Sequence, residues 1–499
     1  MSLQFNRRNF LTASSAAALV AGTPTAHART YLIPGTRGSE ALPPPWAWAK
    51  LKRDLNGRVL FPGDEGYLPT AIPNNLRYAM TEPAGIAKCA SADEVALVLD
   101  WCRENKCAFI TRAGGHSYAG FSTTRGLMID VRLMNGGSYD SAKHEVAIQG
   151  GAINRDVYDV MKANKQAITH GRCPAVGAAA FLLGGGIGFN MRHNSIASDA
   201  MTSTEIVFAD GSRRTVGPSG TKDDTELFWA CRGGGGGNFG INTSFTMKTF
   251  DAPDITVFHV AWDDVSDSFA WNLTGALNGC PREFGSRISF QANNGKVKAD
   301  LLGQFIGSRD FVDRLLRPFV TALPPSENEV EQDDYWTGQK FLSEDQPPIF
   351  YQERSAYVSG VLDRRAFDAA LKAVRNAPAV TGPVDVRFFQ TGGAINDHAA
   401  DETAFVHRKG DWLMVVGLYW WWDDEFNRPL MKRAHAWQEG LYAELLPATV
   451  GGSYQNFTDP SLTKWQDAYY GANYPRLQKV KKTVDPSDAF RFTQGIQPA

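Results

Sequence analysis

Two short stretches, whose reactive residues His116 and Cys173 are 57 positions apart, could hold a large ligand. They read Arg112-Ala-Gly-Gly-His116-Ser-Tyr-Ala-Gly120 and Gly171-Arg-Cys173-Pro174. Glycines let the backbone approach a flat or charged ligand, and each stretch adds one nucleophile, an imidazole or a thiol. Taken singly, each has a plainer interpretation, because such histidines are mostly turn residues and lone cysteines are mostly small buried apolar side chains. Together they indicate a cofactor held at two points, to which both side chains could bond covalently.

The elements that must position these stretches alternate between helix and strand. Ser91-Ala-Asp-Glu94 is a capping box that predicts a helix, and the apolar run 108–111 predicts a strand that leads into Arg112. A second unit repeats this order, with a strand at 127–131, a helix at 156–163 and a short strand at 167–169 before Gly171. This alternation favours an α/β arrangement in which the loops carry the ligand.

Two glycine-rich runs follow, at 177–188 and 232–240. Such runs can cradle phosphate through backbone N–H groups. Neither ends in Gly-Lys-Ser/Thr, and no clean Gly-x-Gly-x-x-Gly opens a helix directly after a strand, so neither a P-loop nor a Rossmann site is predicted. A flexible linker is disfavoured because Phe228-Trp229 and Phe239 flank the second run.

The composition of the sequence changes near residue 251, where aromatic-rich strand-like segments begin to alternate with helical ones. The periodicity predicts helices at 309–319 and 364–374, and Trp412–Trp422 is the strongest strand candidate. The aromatic side chains could line a substrate face or simply pack against helices. The composition shifts again after Gly451, and the Tyr-, Leu- and Phe-rich C-terminus is expected to dock on the body of the protein.

Composition narrows the functional class. The chain has 499 residues, which predicts two or three domains, and a formal net charge of −2. No long basic run is present, so nucleic acid and anionic membranes are poor partners. None of the six cysteines forms a Cys-x-x-Cys pair, and no metal site is predicted. The disulfide pattern stays open.

The first 28 residues resemble an export signal. Asn6-Arg7-Arg8-Asn9-Phe10-Leu11 matches the twin-arginine motif, an apolar stretch follows, and Ala26-His27-Ala28 fits the small-x-small cleavage rule. The apolar stretch is shorter than the roughly 20 residues that span a bilayer, which disfavours a membrane anchor. We therefore expect a bacterial periplasmic or secreted protein that uses the twin-arginine machinery as a precursor.

These residues together resemble the berberine-bridge-enzyme-like branch of the vanillyl-alcohol-oxidase (PCMH-type) flavoproteins. The resemblance spans roughly residues 75–495. It rests on Arg112-x-Gly-Gly-His116-Ser, Gly171-x-Cys173-Pro-x-Val-Gly177, Gly184-Gly-Gly-x-Gly188, Asp199, Ala209-Asp-Gly211, Leu227-Phe-Trp-Ala230, Arg232 to Ile241, Thr403-Ala-Phe-x-His-Arg408 and the tail from Asn473-Tyr474 to Phe490. It implies an α+β fold, with a two-part PCMH-type FAD-binding domain at 45–250 and 454–499. A substrate domain of antiparallel sheet covered by helices would be inserted at 251–453.

The resemblance implies FAD bound by two covalent bonds, from His116 to the 8α-methyl carbon and from Cys173 to C6 of the isoalloxazine. A ring nitrogen and a thiolate can each attack an electron-poor flavin. Further contacts to FAD are expected from Arg112, Ala113, Gly114, Gly115, Ser117, Gly171, Pro174, Val176, Gly177, Gly184, Gly185, Gly186, Gly188, Asn238, Ile241, Asn473 and Tyr474.

The position of the catalytic base departs from the family pattern. The family often uses the second Tyr of Tyr-x-Asn-Tyr, but this chain has Tyr454-Gln-Asn456-Phe457, and a phenyl ring cannot accept a proton. A glutamate serves elsewhere in the family, on the strand after the Thr-Ala-Phe-x-His-Arg motif, where this chain offers Met414 and Val416. Either Tyr454 or a residue of the inserted domain takes the proton, or the substrate needs no tyrosinate. The candidate bases are Tyr454 and Tyr118, and weaker candidates for the same role are Gln390, Asp397, His398 and Tyr419. Substrate contacts are expected from Gln390, Tyr419 and Phe457.

The expected function is that of an exported FAD-dependent oxidase. It would remove hydride from a hydroxyl-bearing or phenolic small molecule and reduce O₂ to H₂O₂. A dehydrogenase with a non-oxygen acceptor, an oxidative tailoring or cyclising enzyme, and a flavin-binding protein without catalysis remain open alternatives.

Overall fold

Strands of the computed structural model, which describes residues 42–499, form three larger sheets and one two-stranded ribbon. The predicted export signal at 1–28 lies outside the described residues. The strands are β1 Val59–Leu60, β2 Gly85–Lys88, β3 Phe109–Arg112, β4 Leu127–Asp130, β5 Gly137–Asp140, β6 Glu145–Gln149, β7 Gln166–Ala167, β8 Met201–Val207, β9 Arg213–Val216, β10 Ile241–Lys248, β11 Phe250–Asp251, β12 Ile255–Trp262, β13 Phe284–Asn293, β14 Lys296–Phe305, β15 Glu327–Asp333, β16 Phe350–Val358, β17 Val384–Gln390 and β18 Trp412–Trp420.

The α-helices lie mostly between these strands. They are α1 Pro45–Asp54, α2 Tyr67–Ala71, α3 Ala92–Glu104, α4 Asn154–Ala163, α5 Ala178–Leu183, α6 Met191–Asn194, α7 Lys222–Ala230, α8 Asp267–Asn278, α9 Arg309–Ala322, α10 Tyr335–Leu342, α11 Arg364–Arg375, α12 Trp422–Glu425, α13 Arg428–Leu445, α14 Trp465–Tyr470 and α15 Tyr474–Val484. Within residues 42–499, no helix is both long and apolar enough to span a membrane.

The first sheet, of order β1-β2-β4-β3, delivers the His116 stretch. Strands β2, β3 and β4 are parallel and β1 is antiparallel. Helix α3 begins at Ser91, whose hydroxyl accepts from Glu94 N, as the capping box predicts. Its buried face packs on the sheet through Val95, Val98 and Leu99. Strand β3 ends at Arg112, so the glycine loop projects from the carboxyl end of a parallel strand, where α/β ligand sites commonly lie.

The second sheet is antiparallel, with order β5-β6-β10-β8-β9, and the ribbon pairs β7 with β11. Helix α4 starts at Asn154, and its first turn receives the Cys173 stretch described below. The predicted helix at 156–163 and the strand at 127–131 are each present within two residues.

The third sheet is antiparallel, with order β15-β12-β14-β13-β17-β18-β16. Alternate side chains along each strand point to opposite faces. One face is apolar and packs against helices α8, α9, α11 and α13, with Phe290, Phe388 and Met414 among its contacts. The other face is covered by helix α10 at β12, where Ile255 and Val257 pack against that helix, and it carries polar side chains on the strands farther along the sheet.

The C-terminal segment returns to the glycine-rich loops. Lys481, on α15, has a fully buried side chain whose Nζ donates to Asn238 O (2.8 Å) and Phe490 O (2.6 Å). It also pairs with the fully buried carboxylate of Asp485 at 2.7 Å. Removing one partner of such a buried ion pair strongly lowers the free energy of unfolding.

The mixed helices and antiparallel sheets confirm the α+β class, whereas the domain limits at 45, 251 and 454 stay predictions.

Candidate active site

The loops that carry His116 and Cys173 are in direct backbone contact. A Cβ built on Gly114 would lie 2.2 Å from Gly177 N, and one built on Gly177 would lie 2.5 Å from Gly114 N. Real Cβ atoms essentially never come within 3.0 Å of such atoms. Any side chain at either position would therefore push the two loops apart, and the glycines are what allow the two loops to lie in contact.

Arg112 braces the His116 loop from beneath. Its guanidinium donates to Ser122 O at 2.9 Å, and to Thr70 O at 2.6 Å and Ile72 O at 3.2 Å. The side chain is buried, and within the described part of the chain its Nη2 atom has no hydrogen-bond partner. Gly115 has a φ of +76°, which suits glycine, and wraps the loop over this guanidinium.

His116 itself is held in the neutral form. Burial, and then the nearby charge of Arg112, lower the pKa of the imidazole to about 4. Among residues 42–499 no hydrogen bond to its ring is found, and its side chain is only partly buried. At neutral pH the ring therefore offers an unprotonated nitrogen, which is the form that can act as a nucleophile.

The Cys173 loop is fastened to the first turn of α4. The amides of Asn154 and Arg155 donate to Val176 O (2.9 Å) and Pro174 O (3.0 Å), and the Asn154 side chain donates to Cys173 O (3.0 Å). These N–H groups are the ones that a helix leaves without intrahelical partners. The loop backbone is therefore fixed, whereas the thiol projects from it.

Upstream of the thiol, two buried rings fix the Gly171 carbonyl. The Tyr158 hydroxyl donates to Gly171 O, and His170 Nδ1 lies 3.0 Å from the same oxygen. Burial lowers the pKa of His170 to about 4, so the ring is neutral and Nε2 accepts from the Tyr335 hydroxyl at 2.9 Å.

The Cys173 thiol is free and partly buried. Burial raises its pKa, and the guanidinium of Arg172 opposes that increase. Arg172 also forms an ion pair with Glu344, in the segment between α10 and β16. The thiol is therefore protonated in this environment until a further positive or electron-poor group adjoins it.

The run Gly184–Gly188 is shaped by close approach of other groups. A Cβ on Gly184 would lie 2.0 Å from the Asn456 side chain, and one on Gly188 would lie 2.2 Å from His170 O. Gly186 donates its N–H to the Tyr454 hydroxyl at 3.0 Å. This run therefore joins the Cys173 loop to the C-terminal segment.

The second glycine-rich run docks on the first. The amides of Gly233 and Gly235 donate to Leu183 O at 3.0 and 2.9 Å, and Gln455 donates to Gly233 O at 2.7 Å. Asn238 closes the run by donating to Gly234 O at 3.0 Å.

Three other predicted cofactor residues make contacts within the protein. Asn473 donates to the carbonyls of the loop 400–404, and the Tyr474 ring stacks on Tyr470 with centroids 6.1 Å apart. Ile241 is a buried residue at the start of β10. These residues support the walls of the site.

Tyr454 is a core residue. Its side chain is 1% exposed, and its hydroxyl accepts from Gly186 N and from Asn456 Nδ2 at 2.9 Å. Burial raises its pKa to about 12. A hydroxyl so enclosed and so weakly acidic supports the glycine loop, and the structure corrects the prediction that Tyr454 is the base.

Tyr118 and Phe457, by contrast, lie together between the two halves of the site. Their rings are stacked, with centroids 5.1 Å apart and planes 7° from parallel. Phe457 also packs against Phe389 of the polar face of β17, at 5.9 Å. Burial raises the pKa of Tyr118 well above its usual value, and the charges of Glu353 and Cys173 add to the effect. Tyr118 therefore lies near both Glu353 and Cys173.

The face of the seven-stranded sheet opposite helices α8, α9, α11 and α13 carries a charged cluster. The Tyr419 hydroxyl donates to Glu353 Oε1 and accepts from Arg387 Nη1 at 3.2 Å. Arg387 lies 3.1 Å from Glu353 and makes a bidentate pair with Asp385, at 2.9 Å for each bond. We call Glu353, Asp385, Arg387 and Tyr419 the sheet cluster.

A glycine makes room for this cluster. Gly417 of β18 pairs with Glu353 on one side and Asp385 on the other. A Cβ there would lie 2.3 Å from Asp385 Oδ1 and 2.6 Å from Arg387 Nη2. The ion pair of β17 therefore lies across the backbone of β18 and reaches the carboxylate of β16.

Several sequence-based expectations fail because of this alternation of faces. Gln390 is buried on the helix side, where it donates to Leu277 O at 2.6 Å and accepts from Ser286 at 2.8 Å. Met414 and Val416 also belong to the helix-covered core. Gln390 is therefore not a substrate contact. Asp397 and His398 form exposed ion pairs outside the cluster.

Glu353 and Arg387 were missed by sequence reasoning. The available signal was the polar run 352–355 inside the strand Phe350–Val358, of which Glu353 and Ser355 share a face with Tyr351. A charged residue in a strand buried along its whole length indicates a specific partner.

Comparisons with known proteins agree with this geometry. The FAD binding domain family matches residues 83–217, and the Berberine and berberine like family matches residues 453–497. The FAD-linked oxidoreductase YgaK of Bacillus subtilis is 30% identical over 470 residues, covering 90% of this chain and 98% of YgaK. Glucooligosaccharide oxidase of Sarocladium strictum is 29% identical, covering 87% and 91%.

A solved structure shares the whole fold. It is a structure of glucooligosaccharide oxidase from Acremonium strictum, which contains a 6-S-cysteinyl, 8α-N1-histidyl FAD. That structure has a TM-score of 0.79 and 25% identity, and the match covers 91% of this chain and 99% of that one. Fold and site together define an FAD-dependent oxidoreductase of the PCMH type. The chain belongs to the berberine-bridge-enzyme-like branch of that family.

The residues present fit FAD. His116 and Cys173 project from loops in mutual contact and have no hydrogen-bond partners within the described residues. Arg112 Nη2, in the same place, is a buried donor without a protein acceptor among them. A flat anionic cofactor supplies electrophilic carbons and hydrogen-bond acceptors, which match these three groups.

Proposed function

We propose that the protein is an oxidase whose FAD is bound covalently by both His116 and Cys173. The enzyme removes hydride from a hydroxyl-bearing substrate and passes the electrons to O₂, which yields H₂O₂. The observation that carries this proposal is the contact between Gly114 and Gly177, because it brings together the two loops that carry the imidazole and the thiol. The double linkage of FAD in the related glucooligosaccharide oxidase supports it.

When bound, FAD supplies the hydride acceptor. The chain contributes the rest. The His116 loop, braced by Arg112, and the Cys173 loop, fastened to α4, fix the cofactor at two points. The stacked rings of Tyr118 and Phe457 form an apolar wall that excludes water, and the sheet cluster orients the substrate from the opposite side.

The charged face favours a substrate with several hydroxyl groups. Arg287 of β13 pairs with Asp300 of β14, and His259 of β12 lies 3.1 Å from the same aspartate, so polar groups continue from the sheet cluster across neighbouring strands. Alternating donors and acceptors suit a sugar better than an apolar phenol. The relatives that oxidise glucooligosaccharides and xylooligosaccharides support this class.

We further propose that the protein is exported by the twin-arginine route to the periplasm or medium, on the basis of residues 6–28. Replacing Arg7 and Arg8 with lysine should retain the protein in the cytoplasm of a bacterial host. Equal amounts outside the cytoplasm for both forms would refute the export proposal.

The covalent linkage is tested with acid-precipitated protein. The wild type should keep its flavin, as should His116→Ala and Cys173→Ala singly, whereas the double variant should release it. Complete release of FAD from the wild type would refute double attachment.

Turnover is tested by an anaerobic panel of mono- and oligosaccharides, alcohols and phenols, with bleaching of flavin absorbance as the readout. The reduced protein is then mixed with O₂ in a stopped-flow instrument, and H₂O₂ is measured. Reoxidation over minutes would favour a dehydrogenase. No bleaching by any compound would favour a flavin protein without this activity.

A further inference from the structure

The tyrosines of the Tyr-x-Asn-Tyr region supply no proton acceptor in this chain. Phe457 has no ionisable group, and its ring lies flat against Tyr118. The Tyr454 hydroxyl is enclosed by Gly186 and Asn456. Oxidation of an alcohol still requires that the O–H proton be accepted, so another group must receive it.

We propose that Tyr419 and Glu353 together accept the proton of the substrate hydroxyl. This inference rests on the proposed function and assigns the base within it. Tyr419 donates to Glu353 on the paired strand. In the β16–β18 ladder Tyr419 lies opposite Tyr351 and Glu353 lies opposite Gly417, so the two residues are diagonal neighbours on one face of the sheet. Both residues are buried, with 7% of Tyr419 and 2% of Glu353 exposed. Their pairing is therefore a fixed feature of the sheet.

The pair faces the cofactor loops. The Tyr118 ring is edge-on to Tyr351 at 4.9 Å, and Tyr351 stacks on Tyr419 at 5.5 Å. The charge of Glu353 acts on Tyr118, and that of Arg172 acts on Glu353. Since Tyr118 follows His116 by two residues, these ring contacts connect the sheet cluster to the His116 loop.

The geometry gives a balanced proton path. A phenolic oxygen has one O–H donor and two lone pairs. Tyr419 uses its donor on Glu353 and one lone pair on Arg387, which leaves one lone pair for the substrate hydroxyl. The substrate O–H bond breaks as a new O–H bond forms on Tyr419, and the original Tyr419 proton moves to Glu353. The C–H hydrogen leaves with its electron pair to FAD, which is the oxidant of the proposed function, and a carbonyl product results.

The charged surroundings suit a carboxylate that must gain a proton. Burial raises the pKa of Glu353, and Asp385 adds to this, whereas Arg387, Tyr419 and Arg172 oppose it. A base whose pKa is raised toward neutrality is more effective than an ordinary carboxylate. The Arg387 guanidinium lies beside both acceptors and stabilises the phenolate character that Tyr419 gains during transfer.

The first test uses a substrate that bleaches the wild-type flavin in the panel above. Glu353→Gln and Tyr419→Phe should lower the rate of flavin reduction by about 10²–10⁴-fold, and Glu353→Gln should remove its rise with pH. Tyr351→Phe is the matched control, since its ring stacks on Tyr419 but its hydroxyl contacts Asn74 instead of Glu353. It should keep the wild-type pH profile. All variants should retain covalent flavin, and their reoxidation by O₂ after dithionite reduction should be unchanged.

A second test needs no substrate. A carboxylate that titrates near a bound flavin would change the absorption spectrum of the flavin. Because burial raises the pKa of Glu353, the wild-type spectrum should change with pH above the usual range of a glutamate, and that of Glu353→Gln should not. The assignment is overturned if Glu353→Gln or Tyr419→Phe is reduced at the wild-type rate with the wild-type pH profile, or if Glu353→Gln keeps the spectral titration. If no compound bleaches the wild type, the proposed function fails, and the spectral titration alone decides the assignment of Glu353.

Discussion

The contact between the cofactor loops gives a prediction whose size follows from one distance. In Gly114→Ala the new Cβ would lie 2.2 Å from Gly177 N, 2.8 Å from Ala175 O and 2.8 Å from Gly177 Cα. Ordinary contacts begin at 3.4 Å, and all three atoms are backbone and cannot rotate away. The loops must therefore separate by about 1 Å, and a misplacement of that size can cost about 10²-fold in rate.

We expect Gly114→Ala to fold but to form the second covalent bond about 10²-fold more slowly than the wild type. The assay combines Gly114→Ala with His116→Ala, so that Cys173 is the one remaining attachment residue. It follows the fraction of flavin that survives acid precipitation after apoprotein is mixed with FAD, and compares the rate with that of His116→Ala alone. Gly275→Ala is the control, because that glycine lies in α8 with nothing within 4 Å of a built Cβ. Attachment in the combined variant at the rate and extent of His116→Ala alone would refute the idea that this contact sets the geometry.

Two further predictions concern stability. Lys481→Met removes the cation that pairs with the buried carboxylate of Asp485 and should cost about 3–5 kcal/mol in the free energy of unfolding. For a folded part of roughly 460 residues, this loss lowers Tm by about 3–5 °C. The control Lys482→Met, at an exposed position, should change Tm little. A drop of less than about 1 °C in calorimetry would contradict this. Burial also lowers the pKa of His170 to about 4 and of His407 to about 3, so the unfolded chain binds protons first. Stability should be full above about pH 6.5 and fall as the pH drops toward 4, and a Tm that rises in this range would contradict the argument.

The loops were predictable from sequence because their chemistry is local. In each loop a strand, a glycine turn and a nucleophile follow one another within a few residues. The residue types and their spacing therefore indicated His116 and Cys173 as candidate cofactor residues. Helix α3 likewise begins at Ser91, where its cap predicts. Contacts between loops, such as Gly114 with Gly177, join residues that are far apart in sequence, and only the folded chain brings them together.

The faces of the third sheet were not predictable in the same way. Strand β18, Trp412–Trp420, is buried along its whole length, so its sequence carries no polar alternation to tell one face from the other. A shift of one residue moves every side chain to the opposite face. Met414 and Val416 therefore looked like site positions, although the register places Gly417 and Tyr419 on the site face.

The same register explains how this chain can lack the tyrosine at 457 and still hold a proton acceptor. A side chain at 417 would occupy the space of the Arg387 guanidinium, at 2.6 Å from Nη2. With glycine there, Arg387 of β17 crosses β18 and lies 3.1 Å from Glu353 of β16, so one arginine neutralises two carboxylates on different strands. A buried glutamate without such a partner would be strongly destabilising. The small residue at 417, the arginine at 387 and the acid at 353 are therefore one arrangement, and the phenyl ring at 457 belongs to the wall that keeps water from it.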